Sequence, residues 1–360
     1  MKKAFAVVLA AVMSLAMVSA AQAANEIVTA KTVVKPRKGT LYKNYPVPVD
    51  FTIRADVEAP PTELSITPMK NTRITFPKGV SFNPSPKMPV CTDAKLNAQS
   101  SLGDPKAVVE SCAGSVVGTG TSTIYLARAK ANALADPILI IFNAGKSKSG
   151  NAKIKIYGFS KGTGVGILMH GELKNQVLDV AIPVLSYDSA VQYYQFDMPG
   201  ETLDREAELG FKAKGLDPNY VRAVCASSPL KTNAEFVLGE RNPSTGADAG
   251  PERTVKSPTT TQPCKGAAGK AKLKAKAKGP KGKVKRGAKA AFKVTVSNNG
   301  TGVAKAVKVS APGGKANAGN IAPGKSKTVT VRAKVTRPVV KFTIKGKGVS
   351  AKATARVKLK

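Results

Sequence analysis

Three stretches carry residue types at spacings that chemistry uses. Gly158-Phe-Ser-Lys-Gly162 has the pattern of a nucleophile elbow, in which a strand-to-helix turn exposes a serine to a histidine oriented by an acid. The chain's single histidine, His170, follows with no acidic residue between it and Ser160, and Gly162-Thr-Gly-Val-Gly166 reads as a turn. The spacing therefore predicts a hairpin carrying both residues instead of a triad. Gly319-Asn-Ile-Ala-Pro-Gly-Lys-Ser326 fits the phosphate-loop pattern letter for letter. That chemistry needs converging backbone N–H groups and a helix N-terminus after the loop. Pro323 removes one N–H, and Lys327-Thr-Val-Thr-Val-Arg332 is strand-like, so a tight turn between strands is expected. Asp197, Glu201, Asp204, Glu206 and Glu208 form an acidic cluster. Calcium needs oxygens converging from a dedicated loop, and no such loop pattern is visible. A solvated acidic face is expected, with docking of the chain's own basic linker and calcium binding as the alternatives. Tyr193, Tyr194 and Phe196 beside it read as sheet packing before they read as a binding platform.

The feature with the largest physical consequence is charge. Residues 265–360 hold 27 Lys and Arg and no Asp or Glu, whereas the preceding 264 residues hold 30 basic and 22 acidic groups. Most of the formal +35 therefore sits in the last quarter of the chain. The residues expected to contact an anion are Lys272, Lys274, Lys276, Lys278, Lys281, Lys283, Lys285, Arg286, Arg332, Lys334, Arg356 and Lys358. No aromatic residue lies within 265–290, so base stacking is not supported and contact with a polyanion would rest on charge alone.

The chain's start tells where that charge would act. Lys2 and Lys3 precede an apolar run from Ala4 to Ala21, and Ala21-Gln22-Ala23 offers a small-x-small cleavage site. Residues 1–23 are expected to be a secretory signal peptide with Ala24 as the mature start. Outside the reducing cytosol, four cysteines favour disulfides. Of three connectivities, Cys91–Cys112 and Cys225–Cys264 are expected, because each pair brackets a local excursion. Each should stabilise by roughly 3–4 kcal/mol in the chain-entropy picture. Without a Cys-x-x-Cys and with one histidine, no metal site is expected, and nothing calls for a cofactor.

The elements that would position these residues are strands. Trp is absent, aromatics are 5%, and Val47, Val49, Phe51 and Ile53 alternate with polar residues at the period of a half-buried strand. Similar runs follow at Leu64–Ile66, Ile74–Phe76, Val116–Val117, Thr121–Leu126, Ile138–Phe142, Ile154–Tyr157 and Val165–Met169, and Leu203–Phe211 is taken as strand too. Ala234–Leu238 and Arg253–Val255 read as a hairpin turning at Asn242–Gly246. Thr92–Ser111 is the helical exception, with Asp104-Pro105 opening one helix. Residues 24–264 are thus expected to be a β-sandwich, or a jelly-roll-like variant of one. Residues 265–283, rich in Lys, Ala and Gly, read as an extended, mobile linker. In 284–360 alternating Val and Ala against Lys and Arg predict an immunoglobulin-like sandwich of six or seven strands.

Val294-Thr-Val-Ser-Asn-Asn-Gly-Thr-Gly-Val-Ala-Lys-Ala-Val-Lys-Val309 resembles the signature hairpin of CARDB-type modules of bacterial surface proteins, and Ile321-Ala-Pro-Gly-Lys-Ser-Lys-Thr-Val-Thr-Val331 resembles their later turn and strand. The resemblance covers about residues 283–360 and implies an extracellular, non-catalytic spacer or adhesion module. Phe76-Pro-Lys-Gly-Val-Ser-Phe-Asn83, Cys91 and Cys112-Ala-Gly-Ser-Val-Val-Gly-Thr-Gly120 resemble an uncharacterised family of secreted bacterial β-rich proteins, which brings no activity with it. The expectation is a secreted, non-enzymatic, extracellular or cell-wall-associated protein. Its basic region would bind an anionic partner: cell-envelope polymer, acidic polysaccharide or, non-specifically, extracellular DNA. The alternatives are a structural scaffold without a ligand and a polymer hydrolase using carboxylates such as Asp197, Glu201 or Asp204.

Overall fold

The computed structural model describes residues 26–97, 102–183, 189–242 and 244–360, all-β apart from short helical turns. The expected signal peptide, 1–23, lies outside the described residues. In Val47–Glu58 every second side chain is buried, as its alternating sequence requires, and this strand anchors one end of a long antiparallel sheet. From it the order runs through Ala190–Met198, Val116–Tyr125, Ile138–Lys146, Ala152–Ser160, Val165–Lys174, Val177–Ala181 and Met69–Thr75 to Leu230–Arg241. The strands from Ile138 to Ala181 are a meander of successive neighbours, without the crossing connections a jelly roll would place there.

The sheet then folds over on itself. Ile27–Pro36 pairs with Val47–Glu58 along its whole length, from Ile27↔Glu58 to Pro36↔Val49. Its other edge meets Leu230–Arg241 and the short Thr260–Gln262 through side chains. The Gln262 amide donates to the Val34 carbonyl at 2.9 Å and accepts from the Val34 N–H at 2.8 Å, replacing a backbone neighbour. Thr260 Oγ1 donates to the Ala30 carbonyl at 2.7 Å, and the hydroxyls of Thr32 and Thr232 share a hydrogen bond. The sandwich is thereby closed into a flattened barrel whose inward residues form one core, with Phe51, Ile53, Ile74, Ile141 and Phe236 at its centre.

Ile138–Phe142 is buried on both faces, which is why it reads as a continuous apolar run with no alternation. Leu139 and Ile141 enter the main core. Ile138, Ile140 and Phe142 point the other way, into a second cluster with Leu96, Val108, Val109 and Tyr157. That outer cluster is roofed by α1 (Asp93–Asn97) and α2 (Pro105–Ser111). Asp104 caps α2 by accepting from the Ala107 N–H at 3.0 Å. Cys91–Cys112 closes the base of this roof, and Cys225–Cys264 ties the last residues of the large unit to its body.

Three expectations are corrected. Leu64 is 82% exposed and Leu64–Ile66 forms no strand, because Pro60 and Pro61 turn the chain there. Leu203–Phe211 is broken by a helical turn, Glu206–Leu209, ended by Gly210 at φ +70°. Residues 265–283 are no mobile linker. The Ala267 N–H donates to the Leu41 carbonyl at 2.9 Å and the Ala267 carbonyl accepts from Lys43 N–H at 3.1 Å, so this end belongs to the large unit. Leu273–Lys278 is a strand of the small one, paired with Lys289–Asn298 from Leu273↔Asn298 to Lys278↔Lys293. Leu273 is buried and Ala275 and Ala277 pack against the small core, so Leu-Lys-Ala-Lys-Ala-Lys is itself a period-two pattern with small apolar members.

The small unit packs two sheets face to face. Leu273–Lys278, Lys289–Asn298 and Ser326–Lys334 form one; Gly314–Ile321, Ala304–Ala311, Val339–Gly346 and Val349–Arg356 form the other. Its core is Phe292, Val294, Val296, Val309, Val331, Phe342 and Ile344, with the two phenyl rings 5.3 Å apart.

Candidate functional site

The catalytic patterns resolve into structure. Ser160 ends the Ala152–Ser160 strand fully buried, and its Oγ donates to Asp136 Oδ1 at 2.9 Å. Asp136 also accepts from the Gly162 N–H at 2.6 Å, so the pair fastens a hairpin turn. His170 sits opposite Lys155 in the same hairpin, five rungs from Ser160 and roughly 17 Å away at strand spacing. Its Nε2 lies 3.3 Å from Asp93, which also receives the Lys155 ammonium at 2.7 Å. Lys155 is 5% exposed and donates to the Cys91 carbonyl at 2.9 Å, so this group pins α1 to the sheet. Hydrogen bonds from Lys155 and then His170 hold the Asp93 carboxyl below the ordinary carboxylate range.

Gly319–Ser326 joins two strands, as the sequence reading expected. Its N–H groups are used internally: Gly324 N–H donates to the Asn298 carbonyl at 2.8 Å and Lys325 N–H to the Ala322 carbonyl at 3.1 Å. Asn298, fully buried, ties this turn to two other segments. Its amide donates to the carbonyls of Gly302 (2.7 Å) and Ile321 (2.9 Å), and its oxygen accepts from Lys272 and Gly300 N–H, both at 3.1 Å.

The acidic cluster is not gathered. Asp197 accepts from Thr52 and, at 3.0 Å, from Gln195 on the sheet, while Asp204 pairs with Lys212 at 2.9 Å, which lowers the pKa of the first and raises that of the second. Among the described residues no group of three or more potential metal ligands converges. Tyr194 and Phe196 are core residues, and Arg54 lies 4.6 Å over the Tyr193 ring.

The basic residues are arranged differently. All 27 Lys and Arg of 265–360 are exposed, and among the described residues none has a carboxylate within ion-pair distance. Lys274, Lys276 and Lys278 alternate along an edge strand, roughly 7 Å apart at strand spacing. Lys272 and Lys281, Lys283, Lys285 and Arg286 stand exposed on the flanking connections. Beside the lysine row lies a hydroxyl-lined strip in which Thr295 pairs with Thr328 at 2.8 Å and Ser297 with Ser326 at 2.7 Å. Lys334 stands directly opposite Lys289, and Lys278 opposite Lys293. On the other sheet Lys308 stands opposite Lys345, while Arg356 faces Val339. Arg332 lies across from Ala291, and Lys358 follows the last long strand, exposed. Like charges directly opposed across strands are destabilising. Three such pairs, with no carboxylate within ion-pair distance among the described residues, leave this surface with unrelieved repulsion.

Sequence reasoning missed a second feature. Inside the large unit is an apolar cavity of about 80 Å3 lined by Ile74, Leu139, Ile156, Gly158, Met169 and Phe196 among others. Tyr194 reaches it with a hydroxyl bonded to Thr72 at 3.0 Å, and burial pushes that phenol's pKa well above its usual value. Gly158 in the interior of a strand was the available signal.

No family model matches the chain, and no curated protein matches it. Among solved structures the chain is similar to the T6 backbone pilin of serotype M6 Streptococcus pyogenes, at 10% identity over 92% of this chain and 52% of that one, with a TM-score of 0.23. It is also similar to the S-layer protein rSbsC, at 13% identity over 92% and 53% of the two chains, with a TM-score of 0.19. The chain spans about half the length of these two. Superpositions this loose carry no correspondence of residues or sites.

Proposed function

We propose that this is an exported, non-enzymatic β-protein whose small C-terminal sandwich holds anionic polymers of the cell envelope or the extracellular matrix by charge. The observation that carries the reading is the unpaired cationic surface of 265–360: every Lys and Arg exposed, no acidic residue present, and like charges facing one another across strands. The small unit is then a preformed lysine array, because its first strand fixes Lys274, Lys276 and Lys278 in one row. Two disulfides and the sequence's expected signal peptide suit an oxidising compartment outside the cytosol. The CARDB-like hairpin supports a surface module of the spacer or adhesion kind.

The test is retention of the full chain on immobilised polyphosphate across a salt series, against a full-length form with lysines of both sheets changed to Gln: Lys274, Lys276, Lys278, Lys293, Lys308, Lys315, Lys345 and Lys352. A face neutralising about six phosphates should lose on the order of 10³-fold in affinity between 50 and 200 mM salt, and the variant should show a shallower slope. Flat retention across that range, or the same slope in the variant, refutes the reading in favour of a scaffold with no charged ligand.

A further inference from the structure

The small unit is cationic on both of its outer faces, and holding one polymer strand requires only one. On the three-stranded face Lys274, Lys276, Lys278 and Lys293 alternate with the inward residues Leu273, Val294 and Val296. On the four-stranded face Lys308, Lys315, Lys345 and Lys352 alternate with Val307, Val309, Ile344 and Ala353. There Lys308 stands across from Lys345, and Lys315 and Lys352 flank the Ser310–Thr343 pair. Each face has its own opposed lysine pair, so each has its own unrelieved repulsion.

We infer that the module is a bridge: each sheet face takes a separate polyanion strand, so that one protein chain joins two polymer strands. The inference rests on the polyanion-binding reading above and goes beyond it in valency. Packed sheets lie about 10 Å apart, and lysines standing off both outer faces place the two ammonium layers roughly 20 Å apart. That is more than two Debye lengths at physiological salt. A strand on one face therefore leaves the field at the other face unscreened by its own charge and does not repel a second strand. The core between the layers is apolar and continuous, so no polymer passes through it. The partner is a flexible linear polyanion with repeating phosphate or carboxylate groups. Nothing on either face offers aromatic stacking, so selection is by charge density.

The experiment uses the full chain with two probes, a fluorescent oligophosphate too short to reach round the module and a long polyphosphate. Two variants neutralise one face each: K274Q/K276Q/K278Q/K289Q/K293Q/R332Q/K334Q and K308Q/K315Q/K341Q/K345Q/K352Q/R356Q. The expected result is two oligophosphates bound per unmodified chain and one per chain of either variant. Long polyphosphate should be drawn into light-scattering assemblies by the unmodified chain and by neither variant. Hydrogen-exchange protection of the Lys289–Asn298 amides, measured on each variant, reports that it has folded. One oligophosphate per unmodified chain, or scattering that survives neutralisation of either face, overturns the bridge and leaves simple retention standing. No oligophosphate bound by the unmodified chain overturns the charge-retention reading and the bridge with it.

Discussion

Replacing Lys345 with Glu should make the small unit more stable while making it bind polyanions less well. Lys345 faces Lys308 directly across two antiparallel strands, with Ser350 on its other side and no carboxylate near. A like-charged cross-strand pair costs about 0.2–1 kcal/mol and an opposite pair contributes a similar amount, so the exchange should stabilise by roughly 1 kcal/mol at low ionic strength. For a unit of this size that corresponds to about 4–8 °C in melting temperature. The readout is native-state hydrogen exchange of the Lys289–Asn298 amides, which open only when the small core does. Protection there should rise about fivefold in low salt. At 1 M salt, where the Debye length is about 3 Å, the difference should shrink toward zero, and the unmodified chain should itself gain protection as its repulsion is screened. A loss of protection in K345E, or a gain that persists undiminished at 1 M salt, would refute the claim that opposed lysines strain this surface.

Three further outcomes follow from other contacts. Asn298→Ala removes four hydrogen bonds from a fully buried amide, at about 1 kcal/mol each, and should destabilise the small unit by roughly 4 kcal/mol in denaturant unfolding, with Asn298→Asp little better because its carboxylate would face two carbonyls. A Cβ at Gly158 would sit 3.3 Å from Ile167 and 3.4 Å from Leu139, tighter than ordinary contact, but both side chains line the adjoining cavity and have room to give, so Gly158→Ala should stabilise the large unit by about 0.5–1 kcal/mol, seen as a higher denaturation midpoint. The Asp93 carboxyl has a depressed pKa, so the stability it lends is fully present above the ordinary carboxylate value and is lost as pH falls through the lower, folded one. Hydrogen-exchange protection in α1, taken relative to the intrinsic rate at each pH, should fall across that acidic window, and Asp93→Asn should abolish the dependence.

Much of the fold was legible because its signals are local. Alternation over Val47–Val57 marks a half-buried strand wherever it lies in a sequence, and Asp104-Pro105 announces a helix start through an acceptor and a missing donor. The cysteine pairs bracket compact excursions, so proximity in sequence sufficed to match them. What was not legible depends on distant partners or weak hydrophobes. Lys274–Lys278 reads as a linker because alanine carries little apolar area and lysine dominates the composition, although its period is that of a strand. The closing contacts of Gln262 and Thr260 with Val34 and Ala30 are made by polar residues more than two hundred positions away, and no short-range pattern encodes them. For the candidate site, the charge was plain from composition. Its distribution over two faces needed the register of Lys308 with Lys345 and of Lys278 with Lys293.

The side-chain seam between Ile27–Pro36 and Thr260–Gln262 sets an order on assembly. As the polypeptide emerges from its N-terminal end, its opening strand finds one neighbour within a few tens of residues, at Val47–Glu58. The other neighbour is among the last pieces of the large unit to arrive. Until Gln262 appears, that strand presents an unsatisfied margin of N–H and C=O groups, the kind of margin that invites a second copy to add itself. Completion is therefore a late, long-range event, and such topologies form slowly. Cys264 follows two residues after the amide that seals the seam, so its link to Cys225 comes within reach as the barrel shuts.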